Sequence, residues 1–184
     1  LTNITIPNSV MSVGIGVFYE CSNLTSIKVL EGNSKYDSRY NCNAIIETNT
    51  NTLIVGCGNT IIPNSVIALE SNAFMGCNSL KSITIPNSIT VITENAFANC
   101  TSLENIIISE SVTSIEEGAF YNCTSLKSII IPESVTSIGV EAFYECNALS
   151  TINYTGSQED LSKITIEAGN DNLQNATINY NYTK

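Results

Sequence analysis

Chemistry near neutral pH needs side chains that exchange protons, attack or ligate, and this chain of 184 residues carries few of them. It has no His and no Trp. The commonest general base is therefore missing. With it go the Ser-His-Asp and Cys-His arrangements and most catalytic zinc ligand sets. What remains is 7 Cys and 17 acidic residues. Cys21, Cys77, Cys100, Cys123 and Cys146 each stand three residues after a Phe, and the last four are spaced by 23. That spacing resembles no metal-ligand pattern. It reads as a ladder of buried thiols used as small hydrophobes, with disulfides between neighbouring rungs as the alternative. Cys42 lies in an Asn-rich stretch close to Arg39. A reactive thiol wants an exposed, electropositive site; an inert thiol is the default reading here, and pairing with Cys57 is the main alternative.

Acids recur just before each Phe, at Glu70, Glu94, Glu116, Glu117 and Glu141. Stacked on one edge they could offer carboxylate oxygens to Ca²⁺. Their offsets from Phe differ, however, and no Asp-rich loop is present, so a solvated edge is expected. No cofactor site is expected either. The net charge is −10 with 7 basic residues. Nucleic-acid binding, which needs a basic footprint, and electrostatic attachment to anionic lipid are both disfavoured. No apolar run approaches the roughly 18 residues of a membrane-spanning helix.

The elements behind these residues repeat. Phe74, Phe97, Phe120 and Phe143 share the same spacing, as do Leu80, Leu103, Leu126 and Leu149. A fixed period of this size means stacked coils. Within one coil, Leu80, Ile83 and Ile85 alternate as in a half-buried strand. Pro86 ends it, because Pro cannot donate to a ladder. Ile89 and Ile92 point back inward, with room for a second short strand. Ala96 and Phe97 make the next corner. Each coil offers about seven apolar side chains, worth roughly 1.5–3 kcal/mol each when fully buried. Ordering the backbone costs at least as much, so a lone coil should not fold. The triplet Asn99-Cys100-Thr101 follows from the repeat and is not read as a glycosylation site.

The period breaks once. The step from Phe18 to Phe74 is longer than two periods, so one coil is overlong and lacks its Phe. This irregular coil, at about 30–58, holds two β-prone runs around Thr48-Asn49-Thr50-Asn51, which read as a hairpin. Residues 1–154 are expected to form the solenoid and 155–184 a C-terminal cap, since terminal repeats must cover the last apolar face. Ser157 with acids after it looks like a helix start. Leu1 falls at the Leu position of a repeat, so the chain is expected to be a piece of a longer protein.

The string Ile131-Pro132-Glu133-Ser134-Val135-Thr136-Ser137-Ile138-Gly139, followed by Ala142-Phe143-Tyr144-Glu145-Cys146-Asn147-Ala148-Leu149, resembles the BspA-type (Treponema-type) leucine-rich repeat. The resemblance covers nearly the whole chain. It implies a right-handed, mostly β solenoid with a parallel sheet on one side. It also implies a bacterial cell-surface or secreted protein, often an adhesin that binds host matrix or other surface proteins, and no catalytic motif. Similar repeats occur in some protist surface proteins.

Function must then lie in what the repeat does not dictate. Outward positions of the strand form two columns, one with Asn105 and Ser128, the other with Lys28, Thr84, Ile107 and Ile130. Ile107 and Ile130 are expected to be adjacent and exposed, an apolar spot among hydroxyls that suits a protein partner. The loop at 33–43 offers Tyr36, Arg39 and Tyr40, which could contact a partner or stack on a glycan. A structural spacer is the other reading of the array.

Overall fold

The computed structural model describes residues 1–183. Among them fifteen short strands follow one another: β1 (Asn3–Ile6), β2 (Ser26–Val29), β3 (Tyr36–Asp37), β4 (Ile45–Glu47), β5 (Thr52–Val55), β6 (Ala68–Leu69), β7 (Ser82–Thr84), β8 (Val91–Ile92), β9 (Asn105–Ile107), β10 (Ser114–Ile115), β11 (Ser128–Ile131), β12 (Ser137–Ile138), β13 (Thr151–Tyr154), β14 (Thr165–Ile166) and β15 (Thr177–Asn179). Two one-turn helices, α1 (Gln158–Leu161) and α2 (Asp171–Gln174), lie near the C-terminus.

The strands stack as coils of a solenoid. On one side β1 pairs with β2, β7 with β9, and β11 with β13 and then β15, all parallel. The register is that of the repeat: Ser82 faces Asn105, Ile83 faces Ile106, and Thr84 faces Ile107. Parallel strands are found on the other side too, where β8, β10, β12 and β14 form a second ladder. The single sheet expected from the family resemblance is therefore joined by a second one. The repeat has room for it because Ile92, Ile115 and Ile138 point inward from a second extended stretch and are fully buried.

Corners are built on three regularities. First, Phe74, Phe97, Phe120 and Phe143 stack ring on ring, with centroids 5.0, 5.5 and 5.2 Å apart. Second, three of these Phe N–H groups donate to the Ala carbonyl of the next coil: Phe74 to Ala96 at 2.8 Å, Phe97 to Ala119 at 2.9 Å, Phe120 to Ala142 at 2.8 Å. Third, two positions per corner are left-handed. Gly16, Asn72, Asn95, Gly118 and Glu141 fill one column and Glu20, Gly76, Asn99, Asn122 and Glu145 the other, with φ between 52° and 71°. Left-handed backbone suits Gly and Asn, which explains why the repeat is rich in Asn. Asn99 is engaged locally, its Oδ1 accepting from Asn122 Nδ2 at 2.9 Å.

The irregular coil forms a hairpin that acts as a wall. β4 and β5 pair antiparallel, flanked by β3 on one side and by β6 on the other. Neighbouring strand residues point to opposite faces. Ile45 and Val55 accordingly join Leu24, Ile27 and Tyr36 in an N-terminal core, whereas Ile46 and Leu53 join the long C-terminal core. The coil has no Phe, and Gly56 meets the Phe74 ring instead; a Cβ there would lie 1.9 Å from a ring carbon. The first sheet is interrupted at this coil. Thr60, one period before Ile83, is buried in the place of an Ile. Its Oγ1 donates to Asn43 O and accepts from Cys57 N, both at 2.7 Å.

At the C-terminal end no further Ala-Phe corner is present among the described residues to receive Phe143. The side chain of Asn170 takes its place. Its Oδ1 accepts from Phe143 N at 3.0 Å, and its Nδ2 donates to Gly139 O and Glu167 O, both at 2.9 Å. Asn170 is only 1% exposed. Asn170→Leu should therefore lower stability to denaturant by about 2–4 kcal/mol, because buried polar groups lose their partner; a loss below about 0.5 kcal/mol would contradict this role. Glu145→Gly should raise stability by about 0.5–1 kcal/mol, as Gly relieves left-handed strain at some entropic cost; equilibrium unfolding reads both changes.

Candidate functional site

The thiols are the simplest group to place. All seven Cys are free, so neither the rung-to-rung disulfides nor the pairing of Cys42 with Cys57 occurs. Three of the ladder thiols instead donate to the Phe carbonyl of the preceding coil: Cys100 to Phe74 at 3.1 Å, Cys123 to Phe97 at 3.2 Å, Cys146 to Phe120 at 3.0 Å. The Cys57 thiol donates to Asn43 O at 3.1 Å. Burial pushes these thiols up, Cys42 and Cys77 to about 11 and Cys146 to about 12, with Cys100 and Cys123 well above the usual thiol range for the same reason. They are poor nucleophiles, since the thiolate is the reactive form. Among the described residues no group of three or more His, Cys, Asp or Glu is arranged to hold a metal ion.

The loop at 33–43 is built by a charge pair. Arg39 binds the Asp37 carboxylate through Nε at 2.8 Å and a terminal nitrogen at 2.6 Å, and donates to Asn51 Oδ1 at 2.7 Å. Burial opposes ionisation of Asp37, but hydrogen bonds from Arg39 and Thr48 and the Arg39 charge hold its carboxyl below the usual range. Arg39 is thus a structural residue of the loop rather than a free cation. Tyr36 is a correction to the sequence-based expectation: at 4% exposure it lies in the N-terminal core and cannot stack on a glycan. The alternation of β3, a strand the sequence did not reveal, turns it inward. Tyr40 is the opposite case. It is 81% exposed and held at φ 59°. Left-handed backbone at a bulky residue costs about 1–2 kcal/mol, and the Arg39–Asp37 pair next to it fixes the turn.

Tyr40 stands beside the sheet face. Ile61 N donates to Cys42 O at 3.0 Å, which ties the loop to the first position of the face. Ile61 precedes Thr84 by one period, so Ile61, Thr84, Ile107 and Ile130 form one column. Ile61 is 74% exposed and Ile107 50%, while Ile130 is half-buried. Two grooves join along this column. One, of about 530 Å³, is lined by Tyr40, Ile61, Pro63 and Ser65 among others. The next, of about 440 Å³, is lined by Ile61, Ser82, Thr84, Asn105 and Ile107 among others. No charged side chain lines either groove. Ser128 is exposed beside Ile130. Lys28 is exposed too, but it faces Thr5 in the separate β1–β2 pair, and Ile61 pairs with Cys42 rather than with it. The structure therefore brings Tyr40, Thr84, Asn105, Ile107, Ser128 and Ile130 to one side and leaves Lys28 in the separate β1–β2 pair. It leaves out Tyr36 and spends Arg39 on the loop. Sequence reasoning missed Ile61, although its one-period offset from Thr84 was the signal.

A solenoid of short parallel strands with inward Leu and Ile at fixed positions is a leucine-rich repeat protein. The description "BspA type Leucine rich repeat region (6 copies)" matches residues 1–56 and 54–171. The chain belongs to that family. Among solved structures it is similar to a leucine rich cell surface protein from Faecalibacterium prausnitzii, at 31% identity and TM-score 0.68, covering 92% of this chain and 52% of that one. A leucine-rich repeat protein from Eubacterium ventriosum is similar at 26% identity and TM-score 0.54, covering 83% and 36%. The pneumococcal vaccine antigen PcpA shares the fold at 22% identity and TM-score 0.72, covering 100% and 46%. The chain spans about half the length of the Faecalibacterium protein and of PcpA. No curated protein sequence matches it significantly. Among the described residues no helix is long and apolar enough to cross a membrane.

The thiol environment sets a pH dependence. Unfolded thiols titrate near about 8.5, and these folded ones titrate higher. Their contribution to stability is complete below about pH 8.5 and is lost as pH rises toward the folded values. The melting temperature should fall across that alkaline range, and more gently in a Cys100→Ala, Cys123→Ala variant; an identical alkaline slope in that variant would rule out these thiols as its source.

Proposed function

We propose that the chain is a non-enzymatic binding module of a bacterial cell-surface or secreted protein, an adhesin segment that contacts host matrix or other surface proteins. The observation that carries this reading is the uncharged apolar strip of Tyr40, Ile61, Ile107 and Ile130, open to solvent on a chain of net charge −10. Large apolar side chains gathered on one uncharged face mark a surface that a partner covers. The strained Tyr40 turn supports the reading, since backbone strain collects at functional positions. So does the similarity to a solved leucine rich cell surface protein. Thr84, Asn105 and Ser128 supply hydroxyl and amide groups on the same face. In the same reading residues 155–184 form a C-terminal cap on a solenoid of residues 1–154, although β14 and β15 continue both ladders.

Binding to a panel of extracellular-matrix proteins and to intact host cells tests the proposal. Ile107→Lys with Ile130→Lys should weaken binding at least about tenfold, the equivalent of about 1.4 kcal/mol, with the melting temperature unchanged. Tyr40→Ser and Ile61→Lys should each weaken it in the same assay. Binding that survives all four substitutions, or a wild-type chain that binds nothing in the panel, would favour a structural spacer whose length alone matters.

A further inference from the structure

We infer that the hairpin of the irregular coil is an internal cap, and that residues 1–30 open as a unit of their own while the solenoid from the hairpin onward stays folded. This conformational step is separate from the binding reading, since Ile61, Ile107 and Ile130 all follow the hairpin in the chain.

In a stack of like coils, coupling passes only between neighbours. From Phe74 onward each coil shares rings, corner hydrogen bonds and inward Ile residues with the next. At the hairpin this continuity is broken. The stacked rings begin at Phe74, and Phe18 is not among them. Ala73 O receives Gly56 N of the hairpin, at 2.8 Å, where the repeat would deliver the N–H of a Phe. β1 and β2 form a two-stranded sheet of their own. The two apolar cores lie on opposite faces of the wall: Leu24 and Ile27 pack with Ile45 and Val55, whereas Ile46 and Leu53 belong to the long core. Hydrogen bonds that reach back over the hairpin converge on a single carbonyl, Leu24 O, which accepts from Gly58 N at 3.0 Å and Ser79 Oγ at 2.8 Å.

The hairpin also satisfies the long core without help from residues 1–30. Glu70 N donates to Leu53 O at 2.8 Å and Ile67 N to Asn51 O at 3.0 Å, which ties β5 to the next coil. Leu53 and Ile46 are fully buried on that side. Detaching residues 1–30 therefore uncovers Ile45, Val55 and Cys57 on the N-terminal face of the wall, but it removes no stacked ring and no corner bond of the long core. Cooperative units that open separately follow such boundaries between supersecondary motifs.

Hydrogen exchange followed by NMR and thiol labelling followed by mass spectrometry, both on the whole chain, test the inference. Thr25 N donates to Thr2 O and Leu30 N to Ile6 O inside the N-terminal unit, and Cys57 is fully buried in its core. Phe97 N, Phe120 N, Cys100 and Cys123 report on the long core. Relative to unfolded chain, the first group should exchange or label at least about tenfold faster than the second, since it opens without global unfolding. Its rates should also rise less steeply with urea, because less surface is exposed. Leu24→Ala should accelerate the first group at least about tenfold and the second less than about twofold. Equal protection and equal urea slopes for the two groups in the wild-type chain would mean one cooperative unit and would overturn the inference. So would a Leu24→Ala chain in which both groups accelerate together, in which neither does, or which does not fold.

Discussion

A single coil of the repeat cannot satisfy its own backbone or bury its own apolar side chains, and the structure depends on the next coil doing both. Phe N–H groups find the Ala carbonyls of the next coil, and thiols find the Phe carbonyls of the previous one. Rings stack on rings. These contacts exist only if every coil has the same length and the same residue at each height. That requirement keeps the period fixed through Phe74, Phe97, Phe120 and Phe143, and it makes the ends of the stack special. Asn170 shows what is needed when no further corner arrives: a side-chain amide in place of a peptide.

The irregular coil escapes this constraint by supplying its own partners. Its hairpin pairs internally, presents one apolar face to each neighbouring core, and sets Gly56 against the Phe74 ring. Thr60 replaces an inward Ile and turns its hydroxyl to Asn43. The chain at 39–43 is thereby tied to Ile61 and carries Tyr40 to the edge of the sheet face. The loop and the face, two separate candidates along the sequence, become one surface because this coil holds them together.

The core was largely legible in the residues. Period and alternation identify the inward Leu, Ile, Phe and Cys, and they place Ile107 and Ile130 on the outside. The same logic would have found Ile61 had the register been carried back one coil from Thr84. Tyr36 was misplaced for a different reason. A loop rich in Gly, Asn and Ser gives no sign that two of its residues will pair with β4, and pairing is what sends the ring inward. The second ladder was suggested only by Ile89 and Ile92, because strands of two residues leave little pattern to read.

The sequence by itself determined the solenoid, since a fixed spacing of apolar residues admits no other way of burying them. It also excluded most catalytic chemistry, because the chain has no His and its recurrent Cys belong to the packing pattern. Tertiary structure alone decided which exposed residues are neighbours. Tyr40 and Ile61 are distant in sequence and share a groove only because Cys42 O receives Ile61 N. It decided as well that Arg39 is held by Asp37 and Asn51 and that Lys28 is left without a carboxylate partner among the described residues. Local propensity sets which residues point in or out. Long-range hydrogen bonds set which outward residues meet, and those bonds are not written in any short stretch of the chain.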